Sequence, residues 1–245
     1  METILSEQTV LVTGGGTGIG KAIAHAFAAA GCSVLIAGRR EDKLQEAALE
    51  FQGEPVISTS ICDVTNRESV ATLFEQAKKQ MGRVDILVNS AGMNVPNRLM
   101  ETLTPDDWDK LISVNATGTY NTIYSVLPIM KQQQSGLIIN ISSVSGIRAG
   151  LLGGVGYNAS KYAMSALGLT VAQEVKDDGI RVTNIYPGEV DTPILKNRLV
   201  PISEEHRSRI LQPEDIAFTV LMVAHLPPRA HVPELTIMPA SQSFV

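Results

Sequence analysis

A chain of 245 residues, 44% hydrophobic and 18% charged, is long enough to bury a full core and, as an α/β sheet, to do so in one domain. Its formal charge of -5 offers no basic field for nucleic acid or an anionic lipid surface, and no apolar run approaches the ~20 residues that cross a bilayer. The start METILSEQT carries Glu2 and no cationic stretch, so it does not read as a secretory signal. Cys32 and Cys62 are too few for a disulfide framework, which leaves them as small buried hydrophobes in an expected cytoplasmic setting.

Short apolar β-type runs alternate with longer helical patterns, the mark of a parallel sheet covered by helices. TVLVT (9–13) predicts the first strand and KAIAHAFAAAG (21–31) a helix closed by Gly31. CSVLIAG (32–38) follows as strand two, EDKLQEAALEF (41–51) as a helix, PVISTSI (55–61) as strand three, RESVATLFEQAKKQM (67–81) as a helix and VDILVNS (84–90) as strand four. The span 105–134 has a helical period uninterrupted until Pro128, and GLIINIS (136–142) is a buried fifth strand. A helix from about Tyr157 to Asp178, strand six IRVTNIYPG (180–188), a polar lid over 191–210, a helix PEDIAFTVLMVAHL (213–226) opened by Pro213 and strand seven ELTIMP (234–239) complete the pattern. No repeat, low-complexity linker or composition break marks a second domain, so 1–245 is expected to be one catalytic and binding domain.

Between the first strand and its helix, TVLVTGGGTGIGKAI concentrates Gly14, Gly15, Gly16, Gly18 and Gly20 where backbone N–H groups and a helix's positive end can take a pyrophosphate. The spacing is T-G-x-x-x-G-x-G; Ile19 stands where G-x-G-x-x-G would need its last glycine. A bare turn glycine is the plainer alternative. At the end of strand two, where a carboxylate would hold the adenosine ribose, stand Arg39 and Arg40; guanidinium groups there accept a 2′-phosphate, which favours NADP(H) over NAD(H). Solvated charge ahead of Glu41 and Asp42 is the competing reading. Asp63 in ICDV can accept from the adenine amino group or simply cap the next helix. The expected fold is thus a Rossmann-type, doubly wound parallel sheet of about seven strands flanked by helices.

YNASK (157–161) sets a tyrosine and a lysine four residues apart, a turn of roughly 400° on a helix, so both project from nearly one face. A tyrosine of pKa ~10 is only about 0.1% ionised at neutral pH. A cation roughly 5 Å away in an effective dielectric of ~20 favours the phenolate by about 3 kcal/mol, or about two pKa units, so Lys161 is expected to make Tyr157 a usable base.

TGGGTGIG (13–20), NSAG (89–92), Asn115, Ser142-Ser143, YNASK and PGEVDT (187–192), in this order and spacing, resemble the short-chain dehydrogenase/reductase family over essentially the whole chain. The tail HVPELTIMPASQSF is similar to that of NADP-dependent members acting on 3-hydroxy acids such as serine. The resemblance implies Tyr157 as general acid/base, Lys161 as its electrostatic partner and ribose anchor, Ser143 as the group polarising the substrate oxygen and Asn115 as holder of a water relay. Ser142 and Ser145 stay open as competitors of Ser143. Dinucleotide contacts are implied at Gly14, Gly16, Thr17, Gly18, Ile19, Gly20, Arg39, Arg40, Asp63, Val64, Asn89, Ala91, Gly92, Tyr157, Lys161, Pro187, Gly188, Val190 and Thr192. In NSAG, Ser90 replaces the family's second asparagine and can still form hydrogen bonds.

The function expected is hydride transfer between NADP(H) and a small alcohol or carbonyl substrate; the alternatives are an NADP(H)-binding sensor or scaffold without turnover, and an enoyl reductase or dehydratase relative. Residues 93–98, 148–154, Tyr186, Glu189 and the stretch after Thr192 are expected to line the substrate pocket. Arg98 or Arg148 would there pair with the carboxylate of a hydroxy acid. His25, His206, His225 and His231 show no metal-ligand spacing, so no metal is expected. A homo-oligomer, tetramer or dimer, built on the helices within 105–134 and 157–178, is the family's usual assembly.

Overall fold

The computed structural model describes residues 5–198 and 201–242. Seven strands form one all-parallel sheet: β1 (Thr9–Thr13), β2 (Ser33–Gly38), β3 (Ser58–Ile61), β4 (Ile86–Asn89), β5 (Gly136–Ile141), β6 (Ile180–Pro187) and β7 (Glu234–Ile237). Their order is β3-β2-β1-β4-β5-β6-β7. The chain therefore builds outward from β1 to one edge, returns, and builds outward again from β4. This reversal opens a crevice at the carboxyl ends of β1 and β4, the place where open α/β sheets bind ligands.

Strand alternation sorts the core into two layers. Val10 and Val12 of β1, Ile86 and Val88 of β4, and Ile139 of β5 pack toward the side covered by α1 (Gly18–Ala29), α2 (Glu41–Glu50) and the later helix Pro213–His225. Leu11, Leu87 and Ile138, one position along on the same strands, pack with Leu73 and Phe74 of α3 (Arg67–Met81), the helix after Gly118 and Val171. Because helices cover both faces, β1, β4 and β5 are buried along their whole length. None of the helices among the described residues is long and apolar enough to cross a membrane.

Several boundaries differ from the sequence pattern. Strand three pairs only from Ser58; Pro55 has no N–H to give a ladder. The long period over 105–134 resolves into α4 (Pro105–Ile112), a π-turn (Ser113–Thr117) and α5 (Gly118–Gln133). Pro128 does not end α5; residue 124, whose carbonyl loses its usual donor, lies on the exposed face. The next helix, α6 (Val155–Glu174), starts two residues before Tyr157 and gives way to a separate 3-10 turn at Lys176–Asp178.

The described residues of the polar stretch after β6 are folded. It contains a 3-10 turn (Pro193–Asn197) and a short α7 (Glu204–Arg207), and α8 (Pro213–His225) follows. Its base is closed by a parallel bridge between Val190 and Leu211, with Asp191 N donating to Leu211 O at 2.8 Å and Leu211 N to Glu189 O at 3.0 Å.

Candidate active site

The crevice holds a cavity of about 520 Å³ that runs from the glycine loop to Tyr157 and Lys161. Gly14 (φ 69°) allows the loop to touch the strand β4 exit: a Cβ there would stand 2.7 Å from Ala91 N. A Cβ on Gly20 would collide with the Gly14 carbonyl. Thr17, the N-cap of α1, makes no side-chain cap hydrogen bond, so the first N–H groups of this helix remain available to an anion. These features fit a pyrophosphate. Gly14, Gly16, Thr17, Gly18, Ile19 and Gly20 all line the cavity.

Arg39 and Arg40 stand exposed on its far wall, and a guanidinium nitrogen of Arg40 is 3.5 Å from Thr17 Oγ1. Among the described residues no carboxylate forms an ion pair with either. Lys43, in the first turn of α2 and paired with Glu46, joins them on this wall, a residue whose only signal in the sequence was its place three positions beyond Arg40. Asp63 and Val64 line the adenine-side wall. Asp63 Oδ1 accepts from Thr65 N at 2.9 Å and Thr65 Oγ1 at 2.8 Å, an Asx-type turn. The cap of α3 is Asn66, which accepts from Ser69 N, so the capping role considered for Asp63 belongs three residues later.

At the other end, α6 brings Tyr157 and Lys161 together as their spacing demands. Lys161 Nζ lies 5.8 Å from the Tyr157 ring centroid. It donates to Ile141 O at 2.9 Å, and burial lowers its pKa to about 8. The phenol does not follow the expectation of a Lys161-driven fall. Burial raises the Tyr157 pKa, and the groups that act downward are the Ser143 hydroxyl and the Arg98 guanidinium. The reason is burial, which disfavours the charged phenolate more than these groups favour it.

Ser142, Ser143 and Ser145 all line the second chamber and differ in their partners. Ser142 is buried, with Oγ 3.3 Å from Lys161 O and 3.1 Å from Ser165 Oγ. Ser143 begins a 3-10 turn (Val144–Gly146), accepts from Ser145 N at 3.1 Å and reaches the phenol. Asn115, in the π-turn, is wholly buried. Its Oδ1 accepts from Met93 N at 2.8 Å, and its Nδ2 donates to Met93 O at 3.0 Å and Ser160 Oγ at 2.9 Å. That side chain splices the loop after β4 to α6 and is fully used in doing so. Gly92 fits between them: a Cβ would lie 3.4 Å from Asn115 Oδ1 and 3.6 Å from Lys161 Nζ.

Val95, Pro96, Asn97, Leu151 and Gly154, expected on the substrate wall, line neither chamber, and Asn89 and Tyr186 face elsewhere too. Asn89 does not contribute its side chain to the cavity. It joins a buried ladder across three strands: Asn89 Nδ2 donates to Asn140 Oδ1, Asn140 Nδ2 to Asn184 Oδ1 and Asn184 Nδ2 to Ser165 O, each at 2.9 Å. The three asparagines are direct neighbours in register, and Thr122 Oγ1 closes the end by donating to Asn89 Oδ1 at 2.7 Å. The sequence signal was an asparagine near the end of ILVN, LIIN and RVTN. Tyr186 is likewise buried, its hydroxyl donating to Glu234 Oε1 at 2.6 Å, and lies outside the pocket wall.

A second chamber of about 370 Å³ adjoins the first and shares Ile19, Tyr157 and Thr192 with it. Pro187, Gly188, Val190, Ser143, Ser145, Arg98, Arg148, Leu152, Glu189 and Arg198 line it; Ala91 and Gly92 line the first. Glu189 pairs with Arg198 at 2.8 Å and with His206 Nε2 at 2.9 Å, and Arg207 pairs with Asp191. Thr192 and Pro193 lie in van der Waals reach of the Gly18 position, so the stretch after β6 already touches the glycine loop.

A glycine-loop crevice at the switch point, a basic wall beside it and a Tyr/Lys/Ser group at the mouth of an adjoining chamber define a dinucleotide-dependent oxidoreductase. The chain belongs to the short-chain dehydrogenase family, whose model matches residues 8–200. An uncharacterized oxidoreductase of Staphylococcus saprophyticus is 38% identical over 237 residues, covering 96% of this chain and 98% of its own. Among solved structures, the closed form of serine dehydrogenase complexed with NADP+ superposes with a TM-score of 0.87 at 30% identity, covering 97% of each chain. A 3-ketoacyl-(acyl-carrier-protein) reductase from Brucella melitensis complexed with NADH gives 0.85 at 26% identity, covering 95% of this chain and 97% of its own. The protein is an NAD(P)-dependent oxidoreductase acting on CH–OH or C=O groups.

Proposed function

We propose that the protein is an NADP(H)-dependent dehydrogenase or reductase of a small alcohol or carbonyl compound, with Tyr157 as the proton-transfer group. The observation that carries this reading is Tyr157 itself, which lines both chambers with Lys161 on one side and Ser143 on the other. The nicotinamide, when bound, supplies or accepts the hydride. The N-terminus of α1 holds the pyrophosphate, and Arg39, Arg40 and Lys43 hold the 2′-phosphate. Lys161 anchors the nicotinamide ribose. Ser143 donates a hydrogen bond to the substrate oxygen while Tyr157 gives or takes its proton, and Asn115 fixes the loop that carries Gly92 and Met93. The second chamber takes the substrate; Arg148 on its rim suits a carboxylated one. The stretch 191–210 serves as a lid, and two or four copies associate through α5 and α6.

The test is turnover of purified protein with NADPH and with NADH against alcohols and ketones, with and without a carboxylate. NADPH is expected to give the higher kcat/KM. Tyr157→Phe is expected to lose at least about a hundredfold in kcat, with NADPH affinity by fluorescence kept within about twofold. Full turnover in Tyr157→Phe would overturn the reading.

A further inference from the structure

The geometry points to Arg98 as a positioning residue for the proton-transfer step: it clasps the three loops around the active-site mouth and holds a fixed positive charge beside the Tyr157 phenol. This inference rests on the role proposed above for Tyr157. Each guanidinium nitrogen of Arg98 donates to a backbone carbonyl on a different segment. Nε reaches Val95 O at 2.7 Å in the loop after β4. One terminal nitrogen reaches Leu152 O at 2.8 Å in the loop before α6, and the other reaches Asn197 O at 3.1 Å in the stretch after β6. Two further bonds run in parallel: Val155 N donates to Arg98 O at 3.0 Å, and Asn197 Nδ2 to Asn94 O at 2.8 Å. Val155 is the first residue of α6, so the clasp acts on the turn that aims Tyr157 two residues later.

The charge is as informative as the bonds. No carboxylate among the described residues forms an ion pair with Arg98. Glu189, the acid that shares its chamber, is already engaged by Arg198 and His206. Neutral carbonyls orient the guanidinium without cancelling it, and it lines the same chamber as the phenol, on which it acts downward after the Ser143 hydroxyl. The groups sharing this space are Lys161 on α6, Ser143 at the end of β5, Arg148 in the following loop, and Glu189, Arg198 and His206 after β6. Lys161 has a pKa near 8 and changes charge within a working pH range, whereas a guanidinium stays charged throughout. Arg98 therefore supplies, beside the Ser143 hydroxyl, a downward pull on the phenol's proton affinity that does not itself titrate.

The experiment is the pH dependence of kcat/KM for alcohol oxidation, where the acidic limb reports loss of the proton from the base. In Arg98→Gln the limb is expected to move to higher pH and turnover at neutral pH to fall roughly tenfold. Arg98→Lys, which keeps the charge but not the fork, should keep the limb and still lose turnover. Asn197→Ala, which cuts a parallel strap and leaves the charge, should also keep the limb. A limb unmoved in Arg98→Gln, or moved as far in Asn197→Ala, overturns the inference and reduces Arg98 to a structural tie. Should Arg98→Gln fail to melt cooperatively, Arg98→Met, which keeps the apolar stem and removes the charge, takes its place: a raised limb supports the charge role and an unmoved one overturns it. Failure of the Tyr157 assignment is distinct, since it would show as turnover retained in Tyr157→Phe.

Discussion

Only 4% of Lys161 meets solvent, and its single strong partner is a neutral carbonyl, so folding removes an ammonium from water with little in return. The sign of the consequence can be worked out. Below about pH 8 the folded and unfolded chains both hold the proton and stability does not change on this account. Between about 8 and 10.5 the unfolded chain holds a proton that the folded one has released, so stability rises with pH. The unfolding free energy of wild type relative to Lys161→Met is expected to gain about 3 kcal/mol across that window, measured by urea melts at several pH values. Cys32, raised by burial to about 12, titrates the opposite way above pH 9 but cancels between the two proteins. Tyr157 and Lys161 were legible in the sequence because four residues on a helix fix a shared face whatever the rest of the fold does. Asn89 and Tyr186 were not: a strand's alternation tells which residues share a face, while register and neighbouring strands decide whether that face meets the cavity or the interior.

The asparagine ladder shows how the sheet holds α6 in place. β4, β5 and β6 each present one amide, and the last hands its hydrogen bond to Ser165 O on α6. Gly168 makes the approach possible, because a Cβ there would strike Asn184 Oδ1 and come within 2.6 Å of Asn140 Nδ2. Gly168→Ala is expected to destabilise the protein by about 2–3 kcal/mol, read as a lowered midpoint in chemical denaturation. An unchanged midpoint would mean that the helix can lift off the ladder without cost. Helices and strands were themselves readable from periodicity, and the parallel, helix-covered sheet followed from the βα alternation. The π-turn that carries Asn115 was hidden, since one extra residue in a turn leaves the apolar period almost untouched. Nor could the ties made by Arg98 be foreseen: its partners Leu152 and Asn197 lie 54 and 99 residues away, on loops that no local pattern fixes.

Over the molecule as a whole, the apolar surface is uneven. Tyr120 and Tyr124 stack on α5 with ring centroids 5.9 Å apart and are 43% and 68% exposed, and Tyr162 is exposed on α6, which packs in the same helical layer. Aromatic residues left in the open on adjacent helices are poorly placed unless something covers them. If α5 and α6 meet a second copy, Tyr124→Glu should shift the mass seen by light scattering to a smaller species, while an unaltered mass would locate the contact elsewhere.

The bridge between Val190 and Leu211 has a mechanical consequence. It ties the two feet of the stretch 191–210 to each other. In the lid role proposed above, opening would swing the stretch on that joined base and break the bonds of Asn197 to Arg98 and Asn94. On that reading, entry and exit at the crevice would cost a handful of polar links and leave the packed core untouched.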